Sequence, residues 1–236
     1  MSTLRSSAIP VSDPSAGLRI TEIFYSLQGE ANTAGLPTVF IRLTGCPLRC
    51  TYCDTTYSFE GGERRSLDEI IQTALDFKTP HICVTGGEPL AQPNALPLMQ
   101  RLADLGCEVS LETSGALDVS KVDARVSKVL DLKTPASGES ARNLLSNLDY
   151  LTAHDQIKFV ICSREDYEWS KQQVELYKLN EKAGTVWFSP AFAVEKGAAR
   201  LPQLARDLAQ WILEDRLPVR FQLQLHKLLW NDETGR

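Results

Sequence analysis

The sequence predicts an α/β fold arranged as a partial, TIM-like β/α barrel. Apolar, β-branched runs alternate with helical stretches along the 236 residues, and this alternation favours parallel strands joined by right-handed crossovers. The strands are nearly continuous apolar runs, which is typical of a sheet covered on one or both faces. A closed TIM barrel needs eight strand–helix units, and this sequence shows fewer clear ones. An incomplete barrel or an open curved sheet is therefore expected.

Each element follows from its pattern in chain order. Ser66 and Glu69 form a capping box at the start of the first helix. Gly106 ends the second helix at its C′ position, and Ser163 caps the third at its N-terminus. The predicted elements are the strand or edge hairpin "LRITEIF", strand "TVFIRL", helix "SLDEIIQTALDF", strand "HICVT", helix "NALPLMQRLADLG", strands "CEVSLE", "VSKVLDL" and "DQIKFVI", helix "SREDYEWSKQQVELYKL", strand "TVWFS", helix "LPQLARDLAQWILED" and a last strand "VRFQLQL".

The bulk composition excludes some classes of protein. The formal net charge of −5 argues against a partner held through phosphates, such as a nucleic acid. No apolar run is long enough to span a bilayer, and the first residues lack the apolar core of a secretory signal. A cytoplasmic protein with no membrane partner is therefore expected. Residues 1–17, rich in Ser and Pro, are predicted to be a flexible tail, and residues 18–236 a single domain.

Six cysteines raise the question of disulfides, but a chain of this length without a secretory signal is not expected to contain them. Cys83, Cys107 and Cys162 lie in apolar, strand-like runs and are predicted to be small buried hydrophobic residues. The other three, in "GCPLRCTYCDT", lie in a polar loop after a strand. Only these three indicate chemistry.

Non-helical segments follow the carboxyl ends of the predicted strands. In a parallel α/β sheet such segments share one edge, where active sites are built; we call this edge the rim. The segments are "TGCPLRCTYCDTTYS", "GGEP", "TSG", "KTPASGE" and "SPAF". One pocket at the rim can therefore gather all of them.

Cys46, Cys50 and Cys53 have the spacing C-x3-C-x2-C. A structural zinc site needs a fourth cysteine or histidine, and none of the histidines lies in a matching pattern. Iron–sulfur clusters are also held by cysteine thiolates. With three thiolates, a four-iron cluster keeps one iron without a protein ligand, where a small molecule can coordinate. A zinc-stabilised binding module and an iron–sulfur site are both alternatives on the spacing alone.

The motif, with Tyr52 before its last cysteine, resembles that of the radical S-adenosylmethionine (SAM) enzymes. The segment "GGEP" resembles the stretch that cradles the amino group of SAM in that superfamily. The resemblance implies a partial barrel of the radical SAM type, a [4Fe–4S] cluster on Cys46, Cys50 and Cys53, and SAM at the open iron. In that superfamily the cluster and SAM together supply a 5′-deoxyadenosyl radical, which abstracts a hydrogen atom.

Stretches over nearly the whole chain resemble one family of these enzymes, the 7-carboxy-7-deazaguanine synthases. They are "EIFYSLQGE", "FIRLTGCPLRCTYCDTTYSF", "VTGGEPLAQ", "SLETSG", "LDLKTPASGE" and "RFQLQLHKLLW". The resemblance implies a lyase that converts 6-carboxy-5,6,7,8-tetrahydropterin to 7-carboxy-7-deazaguanine with loss of ammonia, on the route to queuosine. It also implies Mg2+, an electron donor of the flavodoxin or ferredoxin type, and a homodimer.

The resemblance implies roles for individual positions. Thr55 matches a threonine that binds Mg2+, for which an oxygen ligand is suitable. Arg42 matches a substrate-binding arginine, and a guanidinium fork suits a carboxylate. The substrate-binding positions that it implies are Leu27, Gln28, Gly29, Arg42 and Thr85, and Glu112 in "LETSG" is added because it lies on the same rim. The cofactor-binding positions are Gly86, Gly87, Glu88, Asp131, Lys133 and Ser189.

This chain departs from the family pattern at one position, and one other class of radical enzyme is an alternative. Many relatives have Gly after "LQGE", whereas this chain has Ala31, which bears on the geometry of that loop. The rival is a glycyl-radical activating enzyme, which also has a three-cysteine loop and a small partial barrel. Such an enzyme gives no reason for "LQGE" or "CDT".

Overall fold

The computed structural model describes residues 17–191, 203–230 and 233–235. Its centre is a nine-stranded sheet with the order β3-β1-β2-β4-β5-β6-β7-β8-β9. The strands are β1 (Gly17–Leu27), β2 (Pro37–Leu43), β3 (Glu63–Ser66), β4 (His81–Gly86), β5 (Glu108–Thr113), β6 (Ser127–Asp131), β7 (Gln156–Ile161), β8 (Thr185–Pro190) and β9 (Arg220–Phe221). The helices are α1 (Leu67–Asp76), α2 (Ala95–Asp104), α3 (Arg164–Leu176), α4 (Leu179–Lys182), α5 (Gln203–Asp215) and α6 (Leu225–Trp230).

The sheet is mostly parallel and is not closed. β2 and β4 to β9 run parallel to one another, whereas β1 lies antiparallel between β2 and β3. The sheet ends at β3 on one side and at β9 on the other. The predicted partial α/β barrel is therefore confirmed, and the uncertain "LRITEIF" segment is an antiparallel strand close to one edge.

The two faces of the sheet differ in chemistry. On one face, buried apolar side chains such as Ile41, Val84 and Leu111 pack against the helices. Successive side chains of a strand point to opposite faces, so the neighbouring residues lie on the other face, which we call the inner face. Helices therefore cover one face, as a sheet of nearly continuous apolar strands allows, while the inner face carries polar residues among buried apolar ones such as Phe40 and Val129. Its polar residues include Arg42, Thr85, Glu112, Asp131 and Lys158.

Local capping signals place the helices where they were predicted. Oγ of Ser66 accepts from the backbone N–H of Glu69, and the Glu69 carboxylate accepts from the backbone N–H of Ser66 at 2.8 Å. Gly106 follows α2 with φ +84°, in the left-handed region that favours glycine. Ser163 caps α3 by accepting from the backbone N–H of Asp166 at 3.3 Å.

The connection between β1 and β2, residues 28–36, crosses to the far side of the sheet. The backbone N–H of Asn32 donates to Oε1 of Gln156, the first residue of β7, at 2.8 Å. Nζ of Lys158, also on β7, lies 2.8 Å from Oε2 of Glu30. Because four strands separate β1 from β7 in the sheet order, these contacts require the sheet to curve around its inner face.

The predicted last strand, "VRFQLQL", is wrong over most of its length. Only Arg220 and Phe221 pair with β8, and α6 begins at Leu225. The alternating pattern is present, but Gln224 and Leu225 bond instead to the β1–β2 connection, at Glu30 and Gly29. Contacts with a segment distant in sequence therefore end the strand early.

Residues 1–16 lie outside the described part of the chain, and β1 begins at Gly17. The division into a tail and a single domain stays a prediction. All six cysteines are free thiols, with Cys83 and Cys107 buried. Cys162, which was predicted to be buried, is half-buried. Within the described ranges, no helix has the length and apolar character needed to cross a membrane.

Candidate active site

The three clustered cysteines lie in a loop after β2, residues 44–58, which we call the cysteine loop. All three are half-buried free thiols. The loop is fixed at its base, where the backbone N–H of Gly45 donates to the carbonyl of Ser58 at 2.7 Å. Between Cys50 and Cys53, the backbone N–H of Cys53 donates to the carbonyl of Cys50 at 3.2 Å. The backbone therefore holds the three thiols on one short, closed loop.

The cysteine loop is bound to the segment that follows β6. The backbone N–H of Thr51 donates to the carbonyl of Ser137 at 3.1 Å, and its hydroxyl donates to the carbonyl of Ala136 at 2.7 Å. The carboxylate of Glu139 accepts from the backbone N–H of Arg49 at 2.6 Å. Two of the predicted rim segments, "TGCPLRCTYCDTTYS" and "KTPASGE", are thus in direct contact.

The thiols lie in a mixed electrostatic environment. Burial raises the pKa of Cys46 and of Cys50 above the ordinary thiol value, and the Lys133 ammonium acts in the opposite direction on both. Nζ of Lys133 also lies 5.8 Å from the ring centroid of Tyr52, between two of the cysteines. A nearby cation favours thiolates, so three thiols on one loop, two of them within the influence of Lys133, fit the donor set of an iron–sulfur cluster.

The glycine pair at the end of β4 is required by close backbone packing. A Cβ on Gly86 would lie 2.2 Å from the carbonyl oxygen of Leu43. A Cβ on Gly87 would lie 2.2 Å from the carbonyl oxygen of Gly45 and 2.8 Å from Cβ of Cys46. Only glycine permits this approach, so the two glycines bring the β4 rim segment directly against the first cysteine.

Glu88, which follows that pair, joins three rim segments. Its backbone N–H donates to the carbonyl of Gly45 at 2.8 Å. Its carboxylate accepts from the hydroxyl of Thr113 at 3.0 Å, and from the backbone N–H and hydroxyl of Ser114 at 2.7 and 2.5 Å. The side chain is 0% exposed. Its carboxylate is therefore fully used within the protein and fixes the rim around the site.

Two predicted cofactor positions carry buried polar atoms without a partner among the described residues. They are Oδ1 of Asp131 and Oγ of Ser189. The hydroxyl of Tyr52, which is in the cysteine loop but is not a predicted cofactor position, is also buried and unpartnered in the described part of the chain. Buried polar groups are normally hydrogen-bonded, so unsatisfied atoms beside the cysteine loop fit a polar ligand such as SAM. The other oxygen of Asp131 is committed, at 3.0 Å from Nζ of Lys133.

The β1–β2 connection places the predicted substrate residues Leu27, Gln28 and Gly29 at the opposite end of the sheet from the rim. Leu27 pairs with Pro37, the first residue of β2. A Cβ on Gly29 would lie 2.3 Å from Nδ1 of His226, so this glycine allows α6 to pack against the connection. The connection and α6 therefore close the side of the barrel that the open sheet leaves exposed.

Two carboxylates near Lys158 have opposite pKa shifts. Burial acts to raise the pKa of Glu30, but the Lys158 ammonium and further partners outweigh it and lower the value to about 2. Burial raises the pKa of Glu112 to about 7, and Lys158 offsets it only in part. Glu112 has no hydrogen bond within the described ranges, so it is a carboxyl group on the inner face with capacity for a ligand.

Thr55 lies between a thiol and a carboxylate. Its hydroxyl donates to Oδ1 of Asp54 at 3.2 Å, and Oδ2 of Asp54 lies 2.9 Å from Nζ of Lys227 on α6. Because its proton is directed to Asp54, the Thr55 oxygen keeps lone pairs for another partner. This arrangement fits an oxygen ligand for Mg2+.

Arg42 is held by residues that the sequence did not single out. Its Nε donates to Oε1 of Glu22 at 2.7 Å, and the hydroxyl of Tyr57 donates to the same oxygen at 2.8 Å. Arg42 is paired in register with Thr85 of β4, so the two predicted substrate residues are neighbours on the inner face.

Sequence reasoning missed several charged groups of the site. A lysine inside an otherwise apolar strand, "QIKFVI", was an available signal for Lys158. Glu22, Glu30 and Lys227 gave no comparable signal, because their partners are distant in the chain and become visible only in the fold.

The comparisons with known proteins agree with this geometry. Residues 40–180 match the family model described as the Radical SAM superfamily. With the partial barrel and the three-cysteine loop, this match makes the chain a radical SAM enzyme, so its cofactors are a [4Fe–4S] cluster and SAM.

The relatives narrow the class further. The 7-carboxy-7-deazaguanine synthase of Koribacter versatilis is 44% identical over 223 residues, which are 92% of this chain and 99% of the relative. The enzyme of the same name from Chlorobaculum tepidum is 42% identical, over 93% of this chain and 97% of the relative. The chain belongs to the 7-carboxy-7-deazaguanine synthase family. The reading of the sequence as a radical SAM enzyme of this family is therefore confirmed.

A solved structure supports the fold. The crystal structure of QueE from Escherichia coli matches with a TM-score of 0.70 at 22% identity, and the match covers 88% of this chain and 94% of that one. At this identity the likeness concerns the fold, and it confirms the partial barrel of the radical SAM type.

Proposed function

We propose that this radical SAM enzyme forms 7-carboxy-7-deazaguanine from 6-carboxy-5,6,7,8-tetrahydropterin, by ring contraction with loss of ammonia. One observation carries the proposal. On the inner face beside the cysteine loop, the guanidinium of Arg42 has terminal nitrogens with no partner among the described residues, and Glu112 is a carboxyl group without a hydrogen bond. A carboxylated pterin offers an anion to the first and hydrogen-bond donors to the second.

The proposed cofactor residues divide into ligands and supports. Cys46, Cys50 and Cys53 hold the [4Fe–4S] cluster, and Asp131, Lys133 and Ser189 contact SAM together with the backbone of the glycine pair. When bound, these groups supply the 5′-deoxyadenosyl radical that abstracts a hydrogen atom from the substrate. The buried carboxylate of Glu88 keeps the rim segments in place rather than contacting a ligand, because it is fully hydrogen-bonded.

The proposed substrate residues surround the inner face from both ends. Arg42 binds the carboxylate, Glu112 binds the polar edge of the ring, and Thr85 lies next to Arg42. Leu27, Gln28 and Gly29 approach from the β1–β2 connection. Thr55 would supply an oxygen to Mg2+, which would neutralise charge on the substrate, while Asp54 accepts the hydrogen bond of the Thr55 hydroxyl.

The partners are proposed from the family resemblance. An electron donor of the flavodoxin or ferredoxin type reduces the cluster, two copies of the chain form a homodimer, and the enzyme acts in the cytoplasm. The net charge of −5 supports a reaction on a free small molecule without a nucleic acid.

Anaerobic turnover with 6-carboxy-tetrahydropterin, SAM, dithionite and Mg2+ tests the function. The reconstituted enzyme is expected to yield the deazapurine, detected by mass spectrometry. Cys50→Ala should lose both SAM cleavage and the broad absorption at about 400 nm that an iron–sulfur cluster gives. Cys107→Ala is the matched control, since Cys107 is a buried thiol outside the cysteine loop, and it should retain both. A loaded enzyme that cleaves SAM but makes no deazapurine would refute the proposed substrate.

A further inference from the structure

Arg42, Glu22 and Tyr57 form a hydrogen-bonded group on the inner face. One carboxylate oxygen of Glu22, Oε1, accepts from Nε of Arg42 at 2.7 Å and from the hydroxyl of Tyr57 at 2.8 Å. The side chains of Arg42 and Glu22 are 15% and 20% exposed, so the ion pair is largely shielded from water. The shared oxygen links three segments of the chain: β1, β2 and the end of the cysteine loop.

An irregularity in β1 is what turns Glu22 toward Arg42. Ile20 pairs with Leu43, but Glu22 pairs with the adjacent residue of β2, Arg42, so two steps along β1 match one step along β2. A bulge of this kind redirects the side chains that follow it. Ile20 consequently packs in the core beneath the helices, while Glu22 lies on the inner face, although regular alternation would place both on one face.

The guanidinium group is held on several sides but keeps its terminal nitrogens available. The Arg42 Cζ lies 5.6 Å from the ring centroid of Phe24 and 5.8 Å from that of Tyr57. In the described part of the chain only Nε has a hydrogen-bond partner. An arginine fixed through Nε presents its remaining donors as a pre-oriented fork, the geometry that suits a carboxylate.

Tyr57 connects this fork to the cysteine loop. It lies in the short 3-10 turn Thr56–Ser58, directly after the proposed Mg2+ ligand Thr55. The hydroxyl of Ser58 donates to the carbonyl of Thr55 at 2.8 Å, and the carbonyl of Ser58 accepts from Gly45 at the base of the loop. A displacement of Tyr57 would therefore change the separation between Arg42 and Thr55.

We propose that Glu22 and Tyr57 are positioning residues that aim the terminal nitrogens of Arg42 at the substrate carboxylate, in register with Thr55. This inference rests on the proposed function, because it names how the carboxylate of that substrate is recognised. Glu22 and Tyr57 are not proposed to contact the substrate themselves. Both act through Arg42, and their effect is confined to ligands that carry the carboxylate.

Ligand binding to the cluster-loaded, SAM-bound enzyme without reductant tests the inference. No turnover occurs under these conditions, so calorimetry measures affinity alone. The two probes are 6-carboxy-tetrahydropterin and tetrahydropterin without the carboxylate. Tyr57→Phe should weaken the carboxylated probe about 5-fold, and Glu22→Leu about 20-fold, as expected for a loosened charge-assisted contact. Affinity for the other probe should stay within about 2-fold.

Two further variants separate positioning from a general structural effect. Glu22→Gln keeps an acceptor oxygen and should recover most of the affinity that Glu22→Leu loses; together with Tyr57→Phe it carries the test if the leucine variant does not fold. Tyr25→Phe is the matched control, because Tyr25 is an exposed tyrosine of β1 that stacks on Phe77. It should change neither affinity.

A double-variant cycle gives the decisive result. In an Arg42→Met background, Tyr57→Phe should have no further effect on the carboxylated probe, because it acts only through Arg42. An undiminished effect in that background, or equal weakening of both probes, would overturn the inference. If the unmodified enzyme binds both probes equally, the proposed substrate itself fails. If the unmodified enzyme prefers the carboxylated probe and the Tyr57→Phe variant binds that probe with the same affinity, only the positioning role fails.

Discussion

At the scale of single residues, the site depends on how the inner face distributes charge around Lys158. Glu30 lies 2.8 Å from its ammonium and accepts a second hydrogen bond from Gln224. Glu112 has neither contact among the described residues, so burial is the largest influence on it and raises its pKa to about 7. Two carboxyl groups near the same ammonium therefore favour different protonation states.

The raised pKa of Glu112 predicts a pH-dependent cost in stability. The folded pKa is about 7 against 4.5 for an ordinary glutamic acid, so the folded state binds more protons between these values and stability falls as pH rises through them. Glu112→Gln removes this cost. At pH 8 the free energy of unfolding of the variant should be higher by about 1–2 kcal/mol. This is less than the pKa shift alone would give, because the Glu112 side chain is partly exposed to solvent.

Urea unfolding of the cluster-free protein across this pH range measures the effect. The advantage of Glu112→Gln should shrink toward zero as pH falls to the ordinary glutamic acid value. Glu108→Gln, on the same strand, is the control, since the Glu108 side chain is 70% exposed and should change stability by less than about 0.5 kcal/mol. A constant difference between Glu112→Gln and the unmodified protein at all pH values would contradict the expectation.

The departure at Ala31 also has a conformational meaning. Its φ is +63°, in the left-handed region, where glycine carries no steric penalty and alanine does. The glycine that the family resemblance implies at this position therefore has a conformational explanation in the backbone. The loop nevertheless keeps its contacts, because Nε2 of Gln222 reaches the carbonyl of Ala31 at 3.4 Å.

At the scale of elements, short-range signals predicted more than long-range ones. The capping box at Ser66 and the glycine at Gly106 are local, and both lie where the sequence placed them. The end of β9 is not a local property. The alternation in "VRFQLQL" predicts a strand. Hydrogen bonds from Gln224 and Leu225 to the β1–β2 connection instead end the strand early, and the chain then enters α6.

An ion pair joins the short helix α6 to the cysteine loop. Nζ of Lys227 lies 2.9 Å from Oδ2 of Asp54, and the two side chains are 9% and 39% exposed. Lys227→Met keeps the length of the buried stem and removes the charge. It should lower stability by about 1 kcal/mol, because Asp54 is left without this cation but can still be hydrated.

Hydrogen exchange measured by mass spectrometry locates that effect. Exchange should accelerate in residues 225–230 and at the cysteine loop next to Thr55, with little change in α3. Lys182→Met is the matched control, because Lys182 pairs with Asp149 at the same 2.9 Å but with 33% and 72% exposure. If both variants behave alike, the Lys227 pair does not hold α6 in place.

At the scale of the whole molecule, the sequence predicted one end of the site better than the other. The rim follows from a rule of topology, because the loops after parallel strands meet at one edge. The cysteine loop, the glycine pair and the Glu88 contacts all lie there. The open side of the barrel is closed by the β1–β2 connection and α6, which meet only because the sheet curves, and α6 also reaches the cysteine loop through Lys227. Nothing in the spacing of "LQGE" or "QLQLHK" encodes that curvature, so Glu30 and Lys227 were missed, whereas Lys158 had an available signal in its apolar strand.

Lys158 joins the β1–β2 connection to the opposite part of the sheet, at β6 and β7. Its ammonium lies 2.8 Å from Glu30 of the connection and 3.7 Å from Asp131 at the end of β6. Lys158→Met leaves the Glu30 carboxylate without its cation, whereas Asp131 keeps Lys133 at 3.0 Å. Removing one partner of a buried pair typically costs about 3–5 kcal/mol, so the variant should unfold at clearly lower urea concentration. Lys171→Met, from an ion pair 35% and 24% exposed, should cost less than about 1 kcal/mol.

The pH dependence separates loss of charge pairing from loss of packing. Although burial acts to raise the pKa of Glu30, Lys158 is the largest cause that keeps it at about 2. Without Lys158 that pKa should rise, so Glu30 can take up a proton as the pH falls, and the stability deficit of Lys158→Met should narrow between pH 7 and 4. Adding Glu30→Gln should recover part of the deficit at pH 7, since it removes the unpaired charge. A deficit that is independent of pH and unchanged by Glu30→Gln would mean that Lys158 joins the connection to β7 through its stem alone, and that charge does not close the barrel.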